Sequence, residues 1–119
     1  MKLRTISQKC FRVAAVEDHR GKCATTDFLK VDNPAVRGLR VLLERVATEG
    51  LARFSSTLAH HVGQEIYEFK KGDYRLLWFK GHGETVVICS HGFVKKSQKT
   101  PTSEVDAAAA WRKAYFDSK

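Results

Sequence analysis

The side chains best suited to chemistry are the cations Lys70, Lys71, Arg75, Lys95, Lys96 and Lys99. They lie within Gln64–Pro101, QEIYEFKKGDYRLLWFKGHGETVVICSHGFVKKSQKTP. Clustered cations bind rows of phosphates by direct contact and by counterion release. A guanidinium such as that of Arg75 can hold a phosphate in a two-pronged fork. The same residues spread along a solvated rim would serve solubility alone. His91 stands beside the lysine run and suits a general acid or base, or else a hydrogen-bonded packing residue. Aromatic residues are interleaved with the cations: Tyr67, Phe69, Tyr74, Trp78, Phe79 and Phe93. Bases of single-stranded RNA stack on such rings. Phe69, Trp78 and Phe79 read as core, whereas Tyr74 at a turn and Phe93 before the lysines are placed to face a cleft.

Positioning these groups requires a meander of three strands. Glu65–Lys71, Tyr74–Lys80 and Thr85–Ser90 carry the apolar, aromatic and β-branched content of strands. Gly72-Asp73 and Gly81-His82-Gly83 supply the turns. Alternation puts Tyr74, Leu76 and Trp78 on one face, with Arg75, Leu77 and Phe79 on the other. In an antiparallel pair the start of one strand lies beside the end of the next. Arg75 and the run Lys95–Lys99 should therefore share one edge of the sheet, next to His91. An arginine in an apolar strand must sit near its end or face a polar cleft.

The rest of the chain reads as support. Cys10–Glu17 is a predicted strand, and Asp18–Thr26 a polar loop. Thr26–Val31 suits a short helical turn capped by Thr26 or Asp27. Asn33–Gly50 is the clearest helix, with Asn33 as N-cap, Pro34 at the first helical position and Gly50 closing it. Val36, Leu39, Leu43, Val46 and Ala47 form its apolar stripe. Leu51–His61 reads as a second short helix or a loop. Thr100-Pro101 opens a last helix by the same cap-then-proline logic, and Trp111 and Tyr115 in that helix could cover a sheet face. The expected fold is α+β: a small antiparallel sheet of about four strands packed by two or three helices.

Composition bounds the function. At 119 residues with 43% hydrophobic content, the chain suits one globular domain spanning 1–119. A formal net charge of +8 points to an anionic partner, or to a merely solubilising surface. Cys10, Cys23 and Cys89 are odd in number, with Cys10 and Cys89 in predicted strands, which suits a reducing compartment without a disulfide framework. MKLRTISQK lacks the apolar core of a secretion signal, and no run is long enough to span a membrane, so a cytoplasmic location is expected. His60 and His61 are adjacent and cannot converge on one ion. No Cys/His spacing matches a zinc site, and nothing resembles a P-loop, a dinucleotide fingerprint or a nucleophile elbow. The expectation is no metal and no cofactor.

Taken together, IYEFKKGDYRLLWF, then TVVICSHGFVKKSQKTP, then an alanine-rich helix resemble the RelE/ParE superfamily of type II toxins, and most closely the phage-derived HigB-like branch. The detailed likeness spans about Gly50–Tyr115. It implies a microbial-RNase-like α+β fold and a cognate antitoxin, commonly a helix-turn-helix protein. It also implies an activity, the metal-independent cleavage of mRNA on the ribosome. By position, Arg75 matches the arginine at the scissile phosphate. Lys95 or Lys96 matches the basic residue after the last strand, and Lys70 a basic position on the preceding strand. His91 would supply proton transfer, a role inferred for this chain alone. Lys71, Lys99, Tyr74 and Phe93 complete the expected RNA contacts. Glu68 stands where some members carry a further lysine, and Thr100-Pro101 occupies the region where some place a tyrosine. Related ParE-like toxins share the fold but inhibit DNA gyrase by protein binding, which is the alternative activity.

Overall fold

The computed structural model of the protein describes residues 1–52, 60–96 and 99–118. The elements run β1 (Lys2–Gln8), β2 (Arg12–Glu17), α1 (Ala24–Leu29), α2 (Pro34–Glu49), β3 (His60–Gly63), β4 (Ile66–Lys71), β5 (Tyr74–Phe79), β6 (Thr85–Val94) and α3 (Thr102–Asp117). The strands form one sheet in the order β1-β2-β6-β5-β4-β3. Its neighbours are antiparallel except β2 and β6, which are parallel. The α+β class stands, but the sheet has six strands rather than about four, and it is mixed.

The extra strands are the two edges. β1 is polar along much of its length and its register with β2 shifts between Thr5 and Ser7. Charged, irregular strands suit a sheet edge because they resist pairing with other chains. β3 is four residues long, in a stretch whose sequence suits a helix or loop; positions 53–59 of that stretch lie outside the described residues. β2 starts at Arg12, so Cys10 sits exposed in the turn before it rather than in a strand. Val13 to Val16 are all buried, as a central strand covered on both faces requires.

Two apolar layers hold the sheet. On one face α1 and α2 pack Cys23, Leu29, Leu39, Leu43 and Val46 against Val13, Phe69, Leu76, Trp78 and Cys89. Trp78 is stacked by Tyr67 at 4.9 Å and by Phe69 at 4.8 Å between ring centroids. On the other face α3 packs Val105, Ala108 and Tyr115 against Val16, Ile66, Leu77, Phe79 and Ile88. Among the described residues, no helix is long and apolar enough to cross a membrane.

Local signals set α2 as the sequence predicts. The Asn33 side chain accepts from the Ala35 N–H at 2.8 Å, Pro34 opens the helix, and Gly50 ends it at φ 77°. The other helices differ in their caps. α1 starts two residues earlier than expected, after Cys23, and that N-cap has no side-chain bond. α3 begins at Thr102, with Pro101 at the N-cap position. Thr100 lies one residue before the N-cap position, and its hydroxyl donates to Glu68 Oε2 at 2.7 Å. A buried carboxylate has more to gain from that bond than an exposed helix end.

β6 is longer than predicted, continuing through His91, Gly92 and Phe93 to Val94. Gly92 lies past the predicted end of that strand, yet it belongs to it and sits under the Phe28 ring of α1. A Cβ there would overlap that ring. We predict that Gly92→Ala destabilises the protein by about 1–3 kcal/mol, the usual cost of overpacking. Urea unfolding of Gly92→Ala, with and without Phe28→Ala, checks the cause. The second substitution should remove most of the added penalty if the clash is responsible.

Candidate functional site

The site is set by how β5 is held on both sides. Gly72, at φ 55°, lets β4 turn tightly into β5. The register then pairs Lys70 with Arg75 and Lys71 with Tyr74. Across the other side, Arg75 faces Phe93, Leu77 faces His91 and Tyr74 faces Val94. The ladder runs one step past β6, where the Lys95 N–H donates to the Asp73 carbonyl at 2.7 Å. Directly opposed residues share a sheet face. Lys70, Arg75, Phe93 and His91 therefore gather on the α3 face, and the same alternation carries Lys95 to that side.

The sequence expectation of a shared edge is met for Arg75, Lys70 and the start of the lysine run. Lys96 and Lys99 lie exposed in the segment that follows. Lys71 and Tyr74 belong to the opposite face. The Lys71 stem crosses α2, its Cγ and Cδ both 3.3 Å from where a Cβ on Gly38 would stand. The Tyr74 hydroxyl accepts from Asn33 Nδ2 at 3.3 Å, and its ring lies 5.9 Å from that of Phe28. The expectation that Tyr74 faces the same cleft as Arg75 is therefore corrected by the period of the strand. Phe93 is half-buried against the α3-face cluster, as expected beside the cations.

Arg75 is not an open cation. Its side chain is 11% exposed, and its Nε stands 3.7 Å from Glu68 Oε1. Nη1 donates to the Gly72 carbonyl at 2.7 Å and to the Tyr74 carbonyl at 3.1 Å. Nε itself lacks a hydrogen bond, since 3.7 Å is an ionic contact rather than a donated bond. Glu68 is 3% exposed at its side chain and is held from its far oxygen by Thr100. A chain of contacts thus runs from the β4–β5 turn through Arg75 and Glu68 to the segment carrying the lysines. Glu68 and Thr100 are the partners that sequence reasoning missed. Glu68 shares the alternation of Ile66 and Lys70, so its place on the same sheet face as Arg75, diagonal to it across the pair, was readable from spacing. The Thr100 bond spans 32 positions and carried no local signal.

His91 is also engaged. Nδ1 lies 2.7 Å from the Ser90 hydroxyl, and Nε2 lies 3.1 Å from Glu104 Oε1 in the first turn of α3. A carboxylate only accepts, so in a neutral ring Nε2 carries the hydrogen and Nδ1 accepts from Ser90. Ser90 owes its position to the register shift between Leu77 and Trp78, which leaves it as the extra residue of a bulge. This arrangement ties α3 to the sheet. Proton transfer at His91 would have to displace one of these two partners.

With the geometry in place, the sequence pattern of the family described as Phage derived protein Gp49-like (DUF891) matches residues 26–113. The chain belongs to this Gp49-like family. The match begins in α1 and takes in α2, β3 to β6 and most of α3, so it reaches further towards the N-terminus than the motifs around Gly50–Tyr115 alone. No curated protein matches the chain. β1 and β2 lie outside the Gp49-like match, although β2 pairs directly with β6.

The buried pair yields a test. Removing one partner of such a pair strands the other charge. We predict that Glu68→Gln destabilises the fold by about 3 kcal/mol, the lower end of that range because Arg75 keeps two carbonyl acceptors. Replacing both, as Glu68→Gln with Arg75→Met, should recover most of the loss. Urea titration of the three proteins measures this, and a Glu68→Gln change below about 1 kcal/mol would contradict the assigned pairing.

Proposed function

We propose that this chain is the toxin of a type II toxin–antitoxin system, with 1–119 forming one HigB-like toxin domain of the RelE superfamily. The Gp49-like family is associated with toxin–antitoxin toxins of the RelE/ParE-like type. In this reading it acts in the cytoplasm as a ribosome-dependent mRNA endoribonuclease, and a cognate antitoxin, of helix-turn-helix type, neutralises it. One observation carries the nuclease reading: the register that sets Arg75 between Lys70 and Phe93, with Lys95 one step further along the same edge.

The chemistry follows from those positions. The ribose 2′-oxygen attacks the adjacent phosphorus, a new P–O bond forms, and the bond to the 5′-oxygen breaks. The proton leaves the 2′-hydroxyl, and the departing 5′-oxygen gains one. Negative charge grows on the phosphoryl oxygens, where fixed cations lower the barrier most. Arg75 supplies the fork, and Lys95, Lys96 and Lys70 the surrounding field. Phe93 offers a ring to a base, and Lys99 extends the contact to the RNA backbone. To reach phosphate, the guanidinium exchanges the Glu68 carboxylate for a substrate oxygen. His91 serves proton transfer once RNA displaces Ser90 from Nδ1 of its ring.

A second reading has its own observation. Arg75 is already neutralised by Glu68 and is mostly buried, which suits a scaffold that acts by protein contact, as a ParE-like gyrase inhibitor would. Induction in a bacterial host separates the two. The nuclease reading predicts early loss of intact mRNA with unchanged DNA supercoiling. It also predicts that Arg75→Ala, folded by circular dichroism, cleaves about 10²–10³-fold more slowly and no longer arrests growth. A folded Arg75→Ala protein that still arrests growth, with intact message and altered supercoiling, would support the gyrase reading instead.

A further inference from the structure

Beside His91 the α3 face opens into a cavity of about 420 Å³ between the end of β2, the Ser90–His91 stretch within β6 and the N-terminal part of α3. Its lining includes Asp18, Lys22, Ser90, His91, Glu104 and Trp111. His91 lies two residues along β6 from Phe93, roughly 7 Å at strand rise, and Phe93 faces Arg75. The cavity is therefore within reach of a nucleotide next to one whose phosphate sits at Arg75.

Its chemistry selects among bases. Glu104 is fixed through Oε1 by His91, and among the described residues Oε2 accepts no hydrogen bond. Asp18 uses Oδ1 for the backbone N–H groups of Arg20 and Lys22, at 2.8 and 2.9 Å. Trp111 is half-buried and offers aromatic surface. An acceptor-only carboxylate oriented from behind, beside an indole, suits a flat ring that presents adjacent N–H donors. Guanine does so with N1–H and its exocyclic amine. Adenine pairs a donor with an acceptor on the same edge, and uracil presents one donor between two acceptors.

We propose that this cavity is a guanine subsite, in which Glu104 accepts from the Watson–Crick edge and Trp111 packs on the ring. The proposal deepens the nuclease reading and rests on it for its place beside the scissile phosphate. Its binding step can be tested without cleavage.

The probe is guanosine, followed by tryptophan fluorescence of the full chain, with adenosine, cytidine and uridine as comparisons. The chain has two tryptophans. Trp78 is 1% exposed and stacked on both sides, so a quench by a dissolved nucleoside reports on Trp111. Guanosine should bind at least about tenfold more tightly than adenosine, the usual discrimination of a paired hydrogen-bond edge. Glu104→Gln should erase that preference, and Trp111→Phe should keep binding while removing the signal, as read by displacement. The wild-type comparison of nucleosides does not depend on any variant folding. Equal quenching by all four nucleosides, or none, overturns the subsite even if RNA is cleaved. Guanosine selectivity in a protein that cuts no RNA keeps the subsite and rejects the nuclease reading. If RNA is cut, guanine should be preferred beside the cut and Glu104→Gln should relax that preference; cleavage blind to guanine there counts against the subsite.

Discussion

The register of β5 is the constraint on which the rest depends. Trp78, clamped between Tyr67 and Phe69, fixes that strand on the α2 face. Leu77 and Phe79 fix it on the α3 face. A slip by one residue would exchange those faces and bury Arg75 among the aromatics. The aromatic clamp is thus a positioning device for charge. It decides that Arg75 meets Lys70, Phe93 and Glu68, and that Tyr74 and Lys71 do not. The bulge at Ser90 then adjusts the neighbouring strand, so that His91 falls on the α3 face as well.

Charge in this protein is arranged in two ways. The net excess of +8 sits on the surface, where it can draw in an anionic partner. The guanidinium of Arg75 is instead drawn inside and balanced by Glu68, itself tied to Thr100. An internal carboxylate can hold an arginine in place until a phosphodiester, whose negative charge grows in the transition state, competes for its fork. In the proposed toxin, the Glu68 pair keeps the fork preformed at the edge of the site. The same pair links the sheet to the segment that carries Lys95, Lys96 and Lys99.

Much of the fold is legible in the sequence, wherever the signal is local. Asn33, Pro34 and Gly50 mark α2 at both ends, because capping is decided within one turn. Alternation along YRLLWF is enough to separate Arg75 from Tyr74. The same rule applied to Lys70 and Lys71 separates them too. What escapes a reading of the sequence is decided by distant partners. Gly92 lies beyond the end predicted for β6, and the Phe28 ring of α1 explains why a glycine stands there. Thr100 has the form of a helix cap and serves a buried carboxylate on another strand. β1 is too polar to resemble a strand, and it is an edge for that reason. Cys10 and Cys89 look alike as strand residues in sequence. Yet Cys10 lies exposed in a turn, while Cys89 is buried and desolvation raises the pKa of its thiol.

The central claim is that Arg75 trades Glu68 for an RNA phosphate. The most direct measurement is the side-chain nuclear magnetic resonance signal of Arg75 Nε in arginine-labelled protein. It would be titrated with a short RNA whose 2′-hydroxyl at the cut site is removed. The expected result is a saturable shift of that signal, matched by a change at the Glu68 carboxylate. An Arg75 signal that stays fixed while the surface lysines respond would contradict the exchange.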